Sequence, residues 1–359
     1  MRCDVLGFDD TRWRELLRAT RHDVYHLPEY VAIEARRTRY RGGALLIGDG
    51  ERQLLLPYLV RRGPIDKSSE GADVADLLSP YGYAGVLVSA AAAGDRGFLG
   101  AALRQLQDHL AGEGICAAFL RQHPVLSPEL EGLGLAGLSL RRVPTMIVRL
   151  DRTEPEIWAH TRKGHQSTIN RCMRLGQTAR IGSWREDGEA FREIYRETMA
   201  QAGASGDYYF DDAYFDALQA LGDRVHLCLV DSGGELAAAC LLFERCGIVH
   251  AHLGGTRERH RPQSPFSLLL HFARLWARER GNEVLHLGSG VGGSEDAVFH
   301  FKAGFSRDRT QYVDAQFVVD EVRYKKLVEV RAASLGVAPD ALVATGFFPA
   351  YRAMPKSLS

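Results

Sequence analysis

A lysine among aromatic residues is the first feature of this sequence with catalytic potential. Lys302 lies in the segment Phe299-His-Phe-Lys-Ala-Gly-Phe305, which contains three phenylalanines. A lysine in an apolar wall either extends its ammonium group to water or holds it where negative charge develops in a reaction. The pattern alone leaves both interpretations open, and the second would suit the stabilisation of an oxyanion.

A long basic run near the middle of the chain is a second candidate. No Asp or Glu lies between Ile157 and Arg185, and the basic residues of this stretch are Arg162, Lys163, Arg171, Arg174, Arg180 and Arg185. A solvated helix face normally mixes both charge signs, whereas Arg forks and Lys point charges bind phosphates well. The run therefore favours a polyanionic partner over a solvated face.

Two other patterns predict sites that the rest of the sequence disfavours. Gly288-Ser-Gly-Val-Gly-Gly293 has the spacing of a dinucleotide site, with Asp314 further on for a ribose contact. Asp296, however, would repel a pyrophosphate at the short helix that follows, and no Rossmann half precedes the motif. His250, His252 and His286 lie on predicted strands without further ligands at a familiar offset, so hydrogen-bonded histidines are favoured over a metal site.

The segment Arg257–Phe266 lies between a predicted strand and a long helix, where CoA-dependent acyltransferases have a glycine-rich loop for the pyrophosphate. Pro262 and Pro265 remove two N–H donors there. We therefore do not expect a tight CoA cradle. A Gly-x-Ser-x-Gly elbow and a P-loop are both missing, so serine hydrolase and NTPase functions gain no support.

The bulk properties indicate a cytoplasmic protein of two domains. The chain has 359 residues and a formal net charge of zero, so a polyanion would have to bind a local basic face. The N-terminus lacks the apolar run of a signal peptide, and no stretch reaches the ~18 apolar residues of a membrane span. The six cysteines are scattered, which indicates reduced thiols.

Two successive series of helices, a meander and a strand–helix–strand unit predict a duplicated α+β module with its junction near residue 150. The predicted helices are 9–22, 28–37, 95–112, 154–175, 187–202, 211–221 and 264–280. The predicted strands are 44–47, 53–60, 77–88 with a turn interrupting it, 117–121, 144–150, 225–230, 235–244, 247–253 and 283–287. The first two strands form a hairpin around Gly48-Asp49-Gly50.

Six motifs carry a resemblance that spans nearly the whole chain: Ser79-Pro-Tyr-Gly-Tyr-Ala-Gly85, Arg162-Lys-Gly-His-Gln-Ser-Thr-Ile-Asn-Arg171, His252-Leu-Gly-Gly-Thr256, Leu268 with Trp276-Ala277, Phe301-Lys-Ala-Gly-Phe305 and Phe347-Phe-Pro-Ala-Tyr-Arg352. Together they resemble the Fem family of aminoacyl-tRNA-dependent peptidyltransferases and the related tRNA-dependent transferases of peptide antibiotic assembly. The resemblance implies an α+β fold of two tandem GNAT-like domains without the coiled-coil arm that some members insert. The first would comprise residues 1–150 and about 317–359, and the second 151–316, with an acceptor channel between them.

The resemblance also implies roles for individual residues. Lys302 matches the family lysine at the reaction centre, and the backbone of Phe301 would help to hold the oxyanion. Arg162 and Arg171 match the segment associated with phosphate contacts. Further substrate-binding candidates are Lys163, His165, Tyr81, Tyr83, His252, Arg257, Ser289 and Asp296.

The expected function is transfer of an amino acid from aminoacyl-tRNA to the free amine of a peptide acceptor, either a muropeptide precursor or a carrier-tethered antibiotic peptide. We expect no cofactor besides aminoacyl-tRNA as co-substrate, and no metal. An acyl-CoA-dependent N-acyltransferase of the GNAT class is the alternative enzyme. A GNAT-like domain that merely binds an anionic partner is the non-enzymatic one, and the intact Phe301-Lys302 pair weighs against it.

Overall fold

The computed structural model describes residues 1–65 and 73–354. The chain divides into two compact units: unit 1 comprises Met1–Arg142 and Tyr312–Ser359, and unit 2 comprises Val143–Gln311. Both boundaries lie earlier in the chain than those expected near residues 150 and 317. The reason is that one strand crosses each boundary. Residues 355–359, which the predicted first domain includes, lie outside the described residues.

The described elements are numbered along the chain. The helices are α1 (Thr11–Ala19), α2 (Pro28–Thr38), α3 (Arg96–Gly112), α4 (Glu154–Ala159), α5 (Lys163–Arg174), α6 (Trp184–Gln201), α7 (Asp212–Gln219), α8 (Pro265–Glu279), α9 (Ala297–Lys302), α10 (Glu321–Leu335) and α11 (Pro339–Val343). The strands are β1 (Arg2–Leu6), β2 (Arg41–Gly48), β3 (Gln53–Gly63), β4 (Val74–Leu78), β5 (Leu87–Val88), β6 (Ile115–Arg121), β7 (Leu138–Arg149), β8 (Thr178–Gly182), β9 (Val225–Ser232), β10 (Glu235–Arg245), β11 (Ile248–Thr256), β12 (Val284–Gly288) and β13 (Arg309–Val318).

The two units have the same strand order and the same parallel pair, although the sixth strand comes last along the chain in unit 1 and first in unit 2. In unit 1 the strands follow the order β1-β2-β3-β4-β6-β13; β4 and β6 are parallel, and the other neighbours are antiparallel. In unit 2 the order β8-β9-β10-β11-β12-β7 has its parallel pair at the same position, β11 with β12. A helix, α3 or α8, connects the parallel strands in each unit. The duplicated α+β module predicted from the element order is confirmed.

Hydrophobic patterning places the core of each unit between its sheet and its crossover helix. The α8 stripe of Leu268, Leu269, Leu270, Ala273 and Ala277 is buried against strands of unit 2. The helix begins at Pro265, whose missing N–H costs nothing at the first helical position. Within the described residues, no helix combines the length and the apolar character that a bilayer crossing requires.

The predicted hairpin is confirmed, because β2 and β3 pair antiparallel with Gly48 opposite Gln53. The prediction of one helix over residues 154–175 is wrong. The chain leaves the helix after α4 and starts α5 at Lys163. At the break, the Arg162 N–H donates to the Gly304 carbonyl at 2.8 Å instead of continuing an intrahelical bond.

A buried carboxylate attaches the C-terminal segment to the sheet of unit 1. Asp76, on β4, is 1% exposed and accepts hydrogen bonds from Arg61 Nη2 at 3.0 Å and Arg352 Nε at 2.5 Å. Its other oxygen accepts the Tyr351 hydroxyl. The Arg352 guanidinium also donates to the Pro64 carbonyl at 3.0 Å. The side chains of Arg61, Tyr351 and Arg352 therefore all bind the Asp76 carboxylate, which has almost no contact with water.

Candidate active site

The predicted catalytic lysine ends the short helix α9. The Asp296 side chain caps this helix by accepting the Phe299 N–H at 2.9 Å, and the fully buried Phe299 ring anchors it in the core of unit 2. Lys302, half-buried at the other end, donates from Nζ to the Ser289 carbonyl at 2.7 Å. Ser289 directly follows β12. The ammonium group is thus held by the protein backbone.

Burial lowers the pKa of Lys302 to about 8, although the ionised forms of Cys240 and Asp296 oppose the shift. Desolvation disfavours the charged form of a lysine, and nearby negative charge favours it. Lys302 is therefore mostly protonated at neutral pH, and burial limits the water around its ammonium group. Such a cation suits the stabilisation of an oxyanion.

Two residues of the predicted phosphate-binding segment cap the C-terminal end of α9. Arg162 Nη2 donates to the His300 carbonyl at 2.7 Å, and His165 Nε2 lies 2.9 Å from the Phe301 carbonyl. Because a carbonyl can only accept, Nε2 carries the proton of His165. The last carbonyls of a helix have no intrahelical partners, and cationic donors suit them. These two residues therefore fix the helix that carries Lys302.

The position of Phe301 gives its backbone a different role from the expected one. Phe301 is the fifth residue of α9, so its N–H points along the helix to the Ala297 carbonyl and not to an open site. Its carbonyl is occupied by His165. The Phe301 backbone therefore has no free N–H to offer an oxyanion, and Lys302 is the remaining candidate donor of α9.

His165 lies flat on Gly304. A Cβ atom at Gly304 would lie 2.3 Å from His165 Cε1 and 2.5 Å from Nε2. The ring also packs against Phe301 and Phe305, at centroid distances of 5.3 and 4.7 Å. Burial is the main reason that the pKa of His165 lies below its ordinary value. The guanidinium charges of Arg162 and Arg274 lower it further.

Gly304→Ala is expected to displace the His165 ring, because the new methyl group overlaps it. Overpacking of this kind typically costs about 1–3 kcal/mol of unfolding free energy. Denaturant unfolding would measure this loss, and an NMR titration should show the His165 pKa moving up towards its ordinary value. Gly164→Ala is the matched control, since a Cβ there has nothing within 4 Å. A His165 titration unchanged by Gly304→Ala would contradict the contact.

A buried arginine, which sequence reasoning did not identify, joins the same two segments. Arg274, on α8, is 0% exposed; its Nη1 donates to Thr161 Oγ1 at 2.7 Å and to the Phe305 carbonyl at 3.3 Å. Its Nη2 lies 2.8 Å from His271 Nδ1. Burial lowers the pKa of Arg274 to about 10. The available signal was an arginine on the apolar stripe of α8, between Leu270 and Ala277.

Two other basic candidates, Arg171 and Arg257, bind oxygen atoms of unit 2 outside α9. Arg171 Nη2 donates to the carbonyls of Pro262 and Gln263, at 3.2 Å each. Arg257 donates to the Leu236 carbonyl at 3.1 Å and also forms an ion pair with Glu193 at 2.8 Å. These arginines hold backbone and side-chain oxygens of unit 2, and neither reaches α9 in the described contacts.

Lys163 is exposed at the first position of α5. His252, on β11, stacks on Phe243 with a centroid distance of 4.0 Å. The Ser289 hydroxyl is buried and has no hydrogen-bond partner among the described residues. The structure therefore gathers Lys302, Phe301, Arg162, His165, Ser289 and Asp296 around α9, while Lys163, Arg171, His252 and Arg257 lie elsewhere in unit 2.

The two tyrosine candidates belong to unit 1. The Tyr81 carbonyl accepts the Tyr30 hydroxyl at 2.9 Å. Tyr83 contacts Tyr25 and Tyr312 edge-to-face, at centroid distances of 5.8 and 5.3 Å, and burial raises its pKa. Gly82 between them has φ +98°, and a Cβ there would lie 2.2 Å from Tyr25. The motif therefore forms a packed aromatic cluster inside unit 1.

The glycine motif and the histidine pattern, which the sequence disfavoured as a dinucleotide site and a metal site, make other contacts in the structure. In the glycine motif after β12, the Asp296 carboxylate occupies the start of α9, where a dinucleotide would place its pyrophosphate. His250 and His286 face each other on parallel strands and share a hydrogen bond of 2.8 Å between their Nδ1 atoms. His286 Nε2 lies 2.7 Å from Thr145 Oγ1. His250, His286 and Thr145 therefore form a buried hydrogen-bonded chain.

The start of α8 offers few donors to a CoA pyrophosphate. Pro265 has no N–H, and the Ser267 N–H donates to the Ser264 carbonyl at 3.0 Å. The preceding carbonyls of Pro262 and Gln263 point at Arg171. A pyrophosphate is bound by converging N–H groups, and this segment presents carbonyls already bonded to α5.

Residues 159–302 match the family model described as the acetyltransferase (GNAT) domain. That stretch includes Arg162, His165, Asp296 and Lys302. No curated protein sequence matches the chain significantly.

Several solved structures share the fold at low sequence identity. The crystal structure of FemX is 14% identical, with a TM-score of 0.66, and the match covers 90% of this chain and 99% of that one. L-PGS from Bacillus licheniformis is 15% identical with a TM-score of 0.53, covering 88% and 94%. A tandem GNAT protein from the clavulanic acid biosynthesis pathway is 12% identical with a TM-score of 0.51, covering 89% and 98%. The chain therefore has a tandem GNAT-like fold, and the domain match supports an enzyme of the acyltransferase class.

Proposed function

We propose that this protein is a Fem-like aminoacyltransferase, which moves an amino acid from aminoacyl-tRNA to the free amine of a peptide acceptor. The observation that carries the proposal is the half-buried Lys302 ammonium group, held 2.7 Å from the Ser289 carbonyl at the end of α9. An acyl transfer needs a fixed positive group where the carbonyl oxygen becomes negative. The proposal places the protein in the cytoplasm, where aminoacyl-tRNA is made.

The reaction is aminolysis of an ester. The acceptor amine attacks the ester carbonyl carbon, a C–N bond forms, and the oxyanion is stabilised by Lys302. The C–O bond to the tRNA ribose then breaks, and the ribose oxygen receives the proton that the amine loses. Because an ester is already activated, positioning is the main requirement and no protein nucleophile is needed.

Lys163 and Arg174 are the α5 residues best suited to tRNA phosphates. Both are exposed, and no ion pair of either is found across residues 1–65 and 73–354. Arg162 and Arg171, which the family resemblance associates with phosphate, are instead bonded to backbone carbonyls. We therefore assign the electrostatic contact with the nucleotide tail to Lys163 and Arg174.

Incubation with a pool of tRNA charged with labelled amino acids tests the proposed donor. We expect label to move to an amine-bearing peptide, ribonuclease to stop the transfer, and removal of CoA to leave it unchanged. A transfer that requires acyl-CoA and survives ribonuclease would contradict the proposal and favour the N-acyltransferase alternative. Parallel reactions with a nucleotide-linked muropeptide and a carrier-tethered peptide would identify the acceptor class.

A further inference from the structure

One carboxylate connects the two backbone segments that meet at Lys302. Asp296 Oδ1 accepts the Phe299 N–H at 2.9 Å, in the first turn of α9. Its Oδ2 accepts the Val291 N–H at 3.0 Å, in the turn that follows Ser289. The same side chain therefore holds the start of the helix that carries the ammonium group and the loop that carries its carbonyl acceptor.

Gly290 makes this close approach possible. A Cβ at Gly290 would lie 2.1 Å from the Ser294 carbonyl oxygen and 2.4 Å from Asp296 Oδ1, so any side chain would push the loop away. The turn is closed by the Ser294 N–H, which donates to the Val291 carbonyl at 3.1 Å. The loop is thereby packed directly on the Asp296 carboxylate.

The bonds of Asp296 also argue against its being a base. Burial would raise the pKa of Asp296, but the N–H groups of Phe299, Val291 and Val298 outweigh burial and lower it. A carboxylate that accepts several backbone N–H bonds stays ionised and is a poor proton acceptor. Its position instead holds the turn at Val291, two residues after Ser289, and adds negative charge near the ammonium group.

We propose that Asp296 is a positioning residue for Lys302, which acts by holding the Ser289 carbonyl in register with α9. The inference rests on the proposed function for its effect on catalysis, but the contact itself can be tested without a substrate. The groups that act on the Lys302 charge are Asp296 and, on β10, Cys240. Cys240 is a neutral thiol at working pH, because burial raises its pKa to about 12. Of Asp296 and Cys240, therefore, only Asp296 carries a negative charge at working pH.

Asp296→Asn tests the inference, because asparagine is also a good helix cap but carries no charge. We expect the pKa of Lys302 to fall by about one unit, since loss of a neighbouring negative charge disfavours the ammonium ion. The active form is protonated, so the alkaline limb of the pH–rate profile should move to lower pH, with kcat reduced and KM little changed. The chain has six lysines, so ε-amino NMR signals can be assigned with Lys302→Met.

Glu295→Gln is the matched control in the same loop, because it removes the same charge from the neighbouring residue. Glu295 is exposed, and the Val291 and Phe299 N–H groups bind Asp296 instead, so the Lys302 titration should stay as in the wild type. Gly290→Ala is a second test that keeps the carboxylate: it should displace the Ser289 carbonyl and also lower the Lys302 pKa. An unchanged Lys302 titration in both Asp296→Asn and Gly290→Ala would overturn the inference.

The titration of Lys302 tests the positioning role of Asp296 whether or not the proposed function is correct. A shifted Lys302 titration in a protein that transfers no amino acid from tRNA would support the positioning role and refute the proposed donor. An unchanged titration combined with a raised KM for the acceptor would refute the positioning role and make Asp296 a substrate-binding residue.

Discussion

Replacing Lys302 with methionine is expected to lower the rate of aminoacyl transfer by about 10²–10³-fold, the usual effect of removing one oxyanion donor. Methionine has a similar length and no charge, so it fills the half-buried position without leaving a cavity. Single-turnover transfer from labelled aminoacyl-tRNA would measure the effect on the chemical step. Binding of tRNA should be retained, because Lys163 and Arg174 remain exposed on α5.

Lys326→Met provides the comparison for this variant. Lys326 is an exposed residue of α10 in unit 1, so the same substitution removes a charge that has no part in the proposed site. We expect its transfer rate to equal that of the wild type. Wild-type activity in Lys302→Met would remove the lysine from the mechanism and leave the proposed function without its main support.

The second large effect concerns stability. Asp76→Ala is expected to destabilise unit 1 by about 3–5 kcal/mol, because removal of one member of a buried ionic group leaves the others uncompensated. Arg61 and Arg352 would then lack their shared carboxylate at a site that is 1% exposed. Backbone hydrogen exchange should accelerate in β4 and α10 while α8 of unit 2 is unchanged. Exchange by segment is the suitable measurement, since two units need not unfold as one.

A surface ion pair in the same unit gives the contrast. Glu321 and Lys325 pair at 2.8 Å on α10, and their side chains are 73% and 70% exposed. Glu321→Gln should cost less than about 1 kcal/mol, because exposed pairs are screened by water. Equal effects of Glu321→Gln and Asp76→Ala would show that the buried carboxylate does not hold the C-terminal segment.

The repeated order of elements was predictable because it depends on local pattern. Apolar periodicity located α8, and glycine chemistry located the turn between β2 and β3. The split of the predicted helix 154–175 was not predictable, since it depends on a hydrogen bond between Arg162 and Gly304, residues far apart in sequence. Local signals carry no information about such a partner.

The sequence identified residues of the candidate site, but it did not show which groups their side chains bind. The motif around Lys302 indicated an ammonium group at a reaction centre, which remains a prediction. The basic run indicated phosphate contacts, yet Arg162 and His165 cap α9 in the structure. A charged side chain looks the same in a sequence whether it faces a ligand or a helix terminus. Arg274 and Asp76 were missed for the same reason, since their partners are distant in the chain.

The division of unit 1 has a consequence for synthesis on the ribosome. Unit 2 is one continuous stretch, whereas unit 1 needs β13 and the segment held by Asp76, which are made after unit 2. At ordinary translation rates, the residues between the two parts take roughly 10–30 s to synthesise. During that time the edge of β6 awaits its partner, and an unpaired strand edge is open to association with other chains. We therefore expect unit 1 to be most open to association with other chains before β13 is made.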